Sequence, residues 1–111
     1  MSKYHNQKTI VDDIQFDSKM EAERYLILKD MEKKGEIIEL KLQPRFKLQE
    51  GFRYQGKSER AIFYIADFMY KDKKGKIVVE DVKGVMTKEF NIKRKMFLYQ
   101  YGDEYDFRIV R

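Results

Sequence analysis

The sequence predicts an α/β fold in which a mixed central β-sheet is flanked by α-helices. Three observations carry that expectation. Apolar residues recur at helical spacing in two stretches, one opening at Ser18 and one running from Lys88 to Tyr101. Several short runs between and around them alternate, or are rich in β-branched and aromatic residues, as strands are. The order is helix, several strands, helix, strand, which packs most simply with one helix on each side of a sheet.

Each element has its own signal. Residues 1–8 are polar and predict a loose start. Thr9-Ile10-Val11 and Ile14-Gln15-Phe16 flank Asp12-Asp13 and predict a short hairpin. Ser18 is a good helix N-cap, and Glu21 stands at the capping-box spacing. The helix continues through Ala22, Tyr25, Leu28 and Met31, and Gly35 marks its end. Ile37–Leu42 and Phe46–Gln49 read as strands separated by Pro44, the one proline. The polar stretch Glu50–Arg60, with Gly51 and Gly56, predicts a loop. Ala61–Tyr70 and Lys76–Lys83 read as two central strands joined by a hairpin loop ending in Gly75-Lys76. After the helix 88–101, Gly102-Asp103 ends it, and Tyr105–Val110 alternates as a last strand.

Bulk numbers set limits on function. With 111 residues the chain forms one domain with one real core, and 42% hydrophobic content argues for folding rather than disorder. No cysteine is present, which excludes disulfides, thiolate zinc sites and cysteine nucleophiles. The one histidine, His5, sits in a polar segment and reads as solvated. No run approaches the length of a membrane span or forms a signal-peptide core, so the expectation is a cytoplasmic protein. The net charge of +5 suits a polyanionic partner. The 19 acids are more than a purely electrostatic DNA-binding module usually carries.

The acids are where the chemistry lies. Side chains two apart on a strand share a face. Asp67 would lie with Ile65 and Met69, and Asp81 with Val79 and Lys83, so a hairpin that joins the two faces brings Asp67, Asp81 and Lys83 together. The Asp-x-Lys spacing alone means nothing here, because acid-x-Lys recurs at Asp17/Lys19, Glu32/Lys34, Glu39/Lys41 and Asp72/Lys74. Only Asp81/Lys83 ends an apolar strand and follows a strand with its own central acid. The bland alternative is an exposed Asp81–Lys83 ion pair, a contribution of roughly 0–1 kcal/mol. Asp67 is harder to explain so, since Ile65, Ala66, Phe68 and Met69 surround it. Glu80 alternates to the other face and reads as structural or solvated. Glu21 has two readings, a capping-box partner of Ser18 and an acid aimed at the sheet from between Tyr25 and Leu28; both can hold. Three carboxylates and a lysine suit metal-assisted phosphodiester hydrolysis with Mg²⁺, a hard ion that needs few protein ligands. No Gly-rich phosphate loop is present.

These residues resemble the PD-(D/E)xK nuclease superfamily. The segments Phe16-Asp17-Ser18-Lys19-Met20-Glu21-Ala22-Glu23, Leu42-Gln43-Pro44, Tyr64-Ile65-Ala66-Asp67-Phe68 and Val79-Glu80-Asp81-Val82-Lys83-Gly84 are, in combination, similar to a small phage and prophage family of Holliday junction resolvase-like nucleases. The resemblance implies a restriction-endonuclease-like core. It implies that Glu21, Asp67 and Asp81 hold Mg²⁺ or Mn²⁺, that Val82 lends its carbonyl, and that Lys83 acts at the attacking water. It also implies a homodimer that cuts two strands of a four-way junction. Ala66 stands where the superfamily has proline. Basic residues that would neutralise DNA phosphates are Lys19, Arg53, Lys57, Arg60, Lys88, Lys93, Arg94 and Lys95. The Phe52-Arg53-Tyr54 segment would either stack on an unpaired base or pack on the sheet or on a second subunit.

Overall fold

The computed structural model describes residues 8–111, so His5 and nearly all of the polar start lie outside the described residues. The chain forms β1 (Thr9–Val11), β2 (Ile14–Phe16), α1 (Lys19–Lys33), β3 (Ile37–Leu42), β4 (Arg45–Gln49), β5 (Phe52–Tyr54), β6 (Lys57–Glu59), β7 (Ile62–Ile65), β8 (Phe68–Asp72), β9 (Ile77–Val82), α2 (Lys88–Tyr101) and β10 (Asp106–Val110). The main sheet has the order β10-β9-β8-β3. It is mixed: β9 runs antiparallel to β8 and parallel to β10. A parallel pair needs a crossover, and α2 supplies it. The predicted class, an α/β fold with a mixed sheet and two helices, is what the chain adopts.

Local chemistry accounts for the elements. The β1–β2 turn carries Asp12 and Asp13 at φ 53° and 62°, the left-handed pair that a two-residue hairpin turn needs. Helix α1 starts at Ser18, whose Oγ accepts from the Glu21 amide at 3.1 Å. It ends in a Schellman motif, in which the Gly35 amide bonds the Glu32 carbonyl and the Glu36 amide that of Met31. Gly35 takes φ 75°, open to glycine at no steric cost. Thr87 caps α2 in the same way as Ser18 caps α1, accepting from the Phe90 amide.

Two departures from the expected elements matter. The stretch 61–70 is not one strand. It bends at Ala66-Asp67, so that β7 pairs with β4 while β8 pairs with β3 and β9. Main-chain bonds hold the bend: the Ala66 amide to the Pro44 carbonyl (3.1 Å), Asp67 to Glu80 (3.0 Å) and Gln43 to Asp67 (2.9 Å). The stretch 50–60 is not a loop throughout. It holds the β5–β6 hairpin, turned by Gln55 and Gly56 at φ 48° and 79°. Its polar composition hid the strands because every residue from 51 to 60 is exposed, so no apolar alternation is required of them.

The core has two halves, one on each face of the main sheet. Helix α1 packs Ala22, Tyr25 and Leu28 against Phe68, Tyr70 and Val78. Helix α2 packs Phe90 and Phe97 against Val79 and the β4–β7 residues Phe46, Leu48, Ala66 and Tyr64. Phe97 contacts the rings of Phe46, Tyr64, Tyr101, Tyr105 and Phe107. No helix among the described residues is long and apolar enough to cross a membrane.

Candidate functional site

The bend at Ala66-Asp67, the start of α1 and the end of β9 meet at one place. The β8–β9 register pairs Phe68 with Glu80, and one step further brings Asp67 beside Asp81. Asp67 Oδ2 accepts from the Val82 amide at 2.7 Å. A cavity of about 460 Å³ opens here, lined by Ser18, Glu21, Asp67, Val82, Lys83 and Thr87 among others. Glu21 is buried, at 7% exposure, although it sits in the first turn of a helix.

Glu21 lies both at the helix cap and on the cavity wall. Its amide donates to Ser18, and its Oε2 accepts from the Asp17 amide at 3.2 Å. That second bond lands one residue earlier than in a standard capping box, and it turns the carboxylate toward Asp67. The two carboxyls line the same two cavities side by side. Burial, then Glu21, push the Asp67 pKa up to about 7, against the pull of the Val82 amide and Lys83. Placing acids this close is costly without a cation or a shared proton.

Asp81 is 1% exposed and faces the other side of the sheet. Tyr64, itself buried, donates its hydroxyl to Asp81 Oδ2. Lys83 Nζ lies 2.8 Å from Oδ1 and 4.5 Å from the centroid of the Phe90 ring. That contact is an ion pair poorly aligned for hydrogen bonding, so Oδ1 is a buried oxygen without an aligned donor. Burial and the charge of Asp67 raise the Asp81 pKa, opposed by Lys83 and Tyr64. The Asp81–Lys83 pair is therefore not the exposed surface pair of the bland reading. Asp81 and Lys83 line a second cavity of about 240 Å³ with Tyr64, Phe90 and Lys93. Lys83 and Thr87 line both cavities, so the two adjoin across the end of β9.

The site is thus only partly assembled as expected. Glu21 meets Asp67, and Asp67 interacts with Asp81 and Lys83. Among the described residues no three His, Asp or Glu side chains converge as a formed cation cage. The reason is visible in the geometry: Tyr64 and Lys83 hold Asp81 toward α2, while Glu21 and Asp67 face the cavity beside α1. The donor chemistry itself fits a hard divalent cation, with carboxylates from α1, β9 and the bend before β8, and an Asp81 oxygen held only by the Lys83 charge.

The sequence did not reveal three participants. Tyr64 is an odd number of residues from Asp67, which puts it on the α2 side with Asp81; the expectation that Asp67 and Asp81 share a face hid that contact. Gln43 sits at φ 51° between β3 and β4 and lines a small cavity of about 140 Å³ with Glu21 and Asp67. Arg24 is the third, bonding Glu80 from one turn beyond Glu21. Glu80 is not solvated but wholly buried.

The basic residues lie on several surfaces. Lys19, Arg53, Lys57, Arg60, Lys88 and Lys95 are exposed. Arg53 is tied into its own hairpin through Ser58 Oγ and the Gly56 carbonyl. Lys93 pairs with Glu89 at 3.7 Å, and Arg94 is half-buried with Nε unbonded. Phe52 and Tyr54 are 50% and 64% exposed.

Fold and site together define a mixed α/β protein with a buried acidic cluster at a sheet end and a lysine beside it. The chain belongs to the family described as Protein of unknown function (DUF1064), which it matches over residues 1–111. No curated protein and no solved structure matches it.

Proposed function

We propose that this protein is a divalent-metal-dependent endonuclease with a restriction-endonuclease-like core of the PD-(D/E)xK type, acting as a homodimer on branched DNA, four-way junctions foremost. The observation that carries the reading is that Glu21 and Asp67 line one cavity together with Lys83, whose ammonium pairs with Asp81 in the adjoining one. Glu21, Asp67, Asp81 and the Val82 carbonyl would hold Mg²⁺ or Mn²⁺. When bound, such an ion supplies Lewis acidity to a phosphodiester.

The chain's own residues do the rest. Lys83 is half-buried and held between Asp81 and the Phe90 ring, which fixes the direction of its ammonium. From there it can hold an attacking water and offset charge growing on phosphate oxygens. Tyr64 holds Asp81 in place from the α2 side. Ala66 in place of proline has a local reason: its amide donates to Pro44, a bond that proline cannot make. Exposed Lys19, Lys88 and Lys95, with Lys93 and Arg94 on the same helix as the latter pair, supply phosphate contacts without reading sequence. Arg53, Lys57 and Arg60 would add contacts from the β5–β6 hairpin.

The test is a cleavage panel of four-way junction, flap, single strand and linear duplex, with Mg²⁺, Mn²⁺ or a chelator. Symmetric paired nicks on the junction are expected, with Asp67→Asn and Asp81→Asn losing cleavage while retaining junction binding. Lys83→Ala should lose most of the single-turnover rate. Full cleavage by either aspartate variant, or none by the parent protein on any substrate, would refute the reading.

A further inference from the structure

Arg24 and Glu80 touch neither cavity carboxylate, yet they form a bidentate ion pair with a buried carboxylate and a partly exposed guanidinium. Arg24 Nε lies 2.8 Å from Glu80 Oε1, and Nη2 lies 2.7 Å from Oε2. The Tyr70 hydroxyl of β8 also donates to Oε2. Glu80 itself has no solvent exposure. Tyr25, Leu28, Phe68 and Val78 make up the same half of the core, and Arg108 of β10 stands beside Glu80 in the strand register.

We propose that the Arg24–Glu80 pair is a positioning device that sets the rotation and height of α1 against β9, so that Glu21 meets Asp67. The proposal rests on the site reading above. Four observations support it. Arg24 follows Glu21 by three residues, so both lie on one face of α1. A bidentate guanidinium–carboxylate pair fixes a plane and a direction, which a single apolar contact does not. The main chain of Glu80 holds the bend, its carbonyl accepting from the Asp67 amide at 3.0 Å. Its chain neighbour is Asp81. One residue is therefore linked to all three acids: to Glu21 through the helix, to Asp67 through a backbone bond, and to Asp81 through the peptide bond.

Stability does not explain the pair. Burying two charges costs as much as their attraction returns, and apolar replacements of similar volume commonly fold as well or better. What an apolar pair lacks is direction. Arg24 and Glu80 are thus positioning residues, and their loss should appear in the site before it appears in the fold.

The experiment compares the parent protein with the double variant Arg24→Met/Glu80→Leu by thermal melting, Mn²⁺ calorimetry and crystallography. The expected result is an unchanged or higher melting temperature, a tenfold or greater loss of Mn²⁺ affinity, and a Glu21 carboxylate displaced from Asp67. Arg24→Lys, which keeps the charge but not the bidentate fork, should fall between. Parent-like Mn²⁺ affinity in the double variant, or a Glu21–Asp67 contact left intact, would overturn the proposal. If the parent itself binds no Mn²⁺, the metal reading fails, and the position of Glu21 in the double variant's crystal structure still decides the role of the pair. Should the double variant not fold, Glu80→Gln keeps the shape and gives the same readouts.

Discussion

Asp67 shows what a single carboxyl reveals about its setting. Its folded pKa of about 7 lies above the ordinary 3.8, so the native chain keeps a proton there that the unfolded chain has lost. The sign follows from linkage: this contribution to stability is full below about pH 4 and is lost as pH rises through about 7. Asp81, also raised by burial, acts in the same sense. Urea unfolding of the chelated protein should therefore give a free energy that falls between pH 4 and 7, and Asp67→Asn should flatten that fall. An equal slope in the variant would show that Asp67 titrates normally. Glu21 allows its two roles to be separated. Ser18→Ala removes the cap and should cost about 1 kcal/mol by urea titration. Glu21→Gln keeps an oxygen for the Asp17 amide, so it should melt near the parent while losing Mn²⁺ affinity and cleavage.

Elements were legible where a buried face imposed a period. Both helices could be read because Ser18, Gly35 and Gly102 mark ends of apolar faces, though the Thr87 cap of α2 was not read, and β9 could be read because four of its six residues are buried. The site was legible in its acids and lysine, which stand out in apolar surroundings. Its geometry was not. A bend such as that at Ala66-Asp67 is made by long-range main-chain partners at Pro44 and Glu80, and no local pattern encodes it. The structural reading of Glu80 holds and the solvated one does not, which no local pattern could decide since its partner Arg24 lies 56 residues away. The β5–β6 hairpin escaped because it buries nothing. Strand pairing puts Phe52 opposite Glu59 and Tyr54 opposite Lys57, so both rings share one face with Lys57 and Glu59. Such a face suits stacking on unpaired bases, worth about 1–3 kcal/mol per base. Phe52→Ala/Tyr54→Ala should weaken junction binding in a gel-shift assay while leaving the melting temperature unchanged. Unaltered binding would remove the hairpin from the DNA interface.

At the scale of the molecule, two apolar half-cores sandwich one sheet, and the site sits where their boundary reaches solvent. Leu28 and Phe97, both fully buried, anchor the opposite halves. Leu28→Ala should cost about 2–5 kcal/mol and Phe97→Ala about 3–5 kcal/mol. Because they share no packing partners, the double variant should lose close to the sum in urea titrations. Their effects on the site should differ. Phe97 packs on Tyr64, whose hydroxyl holds Asp81, so its loss should also slow cleavage. The cross-ties at Ala66 and Asp67 extend this coupling into time. Their amides are bonded to strands on both sides of the bend, so neither can be released without separating β7 from β4 or β8 from β9. In deuterium oxide those two protons should be among the last to exchange, leaving the acidic pocket as a rigid fixture that opens only when the whole sheet does.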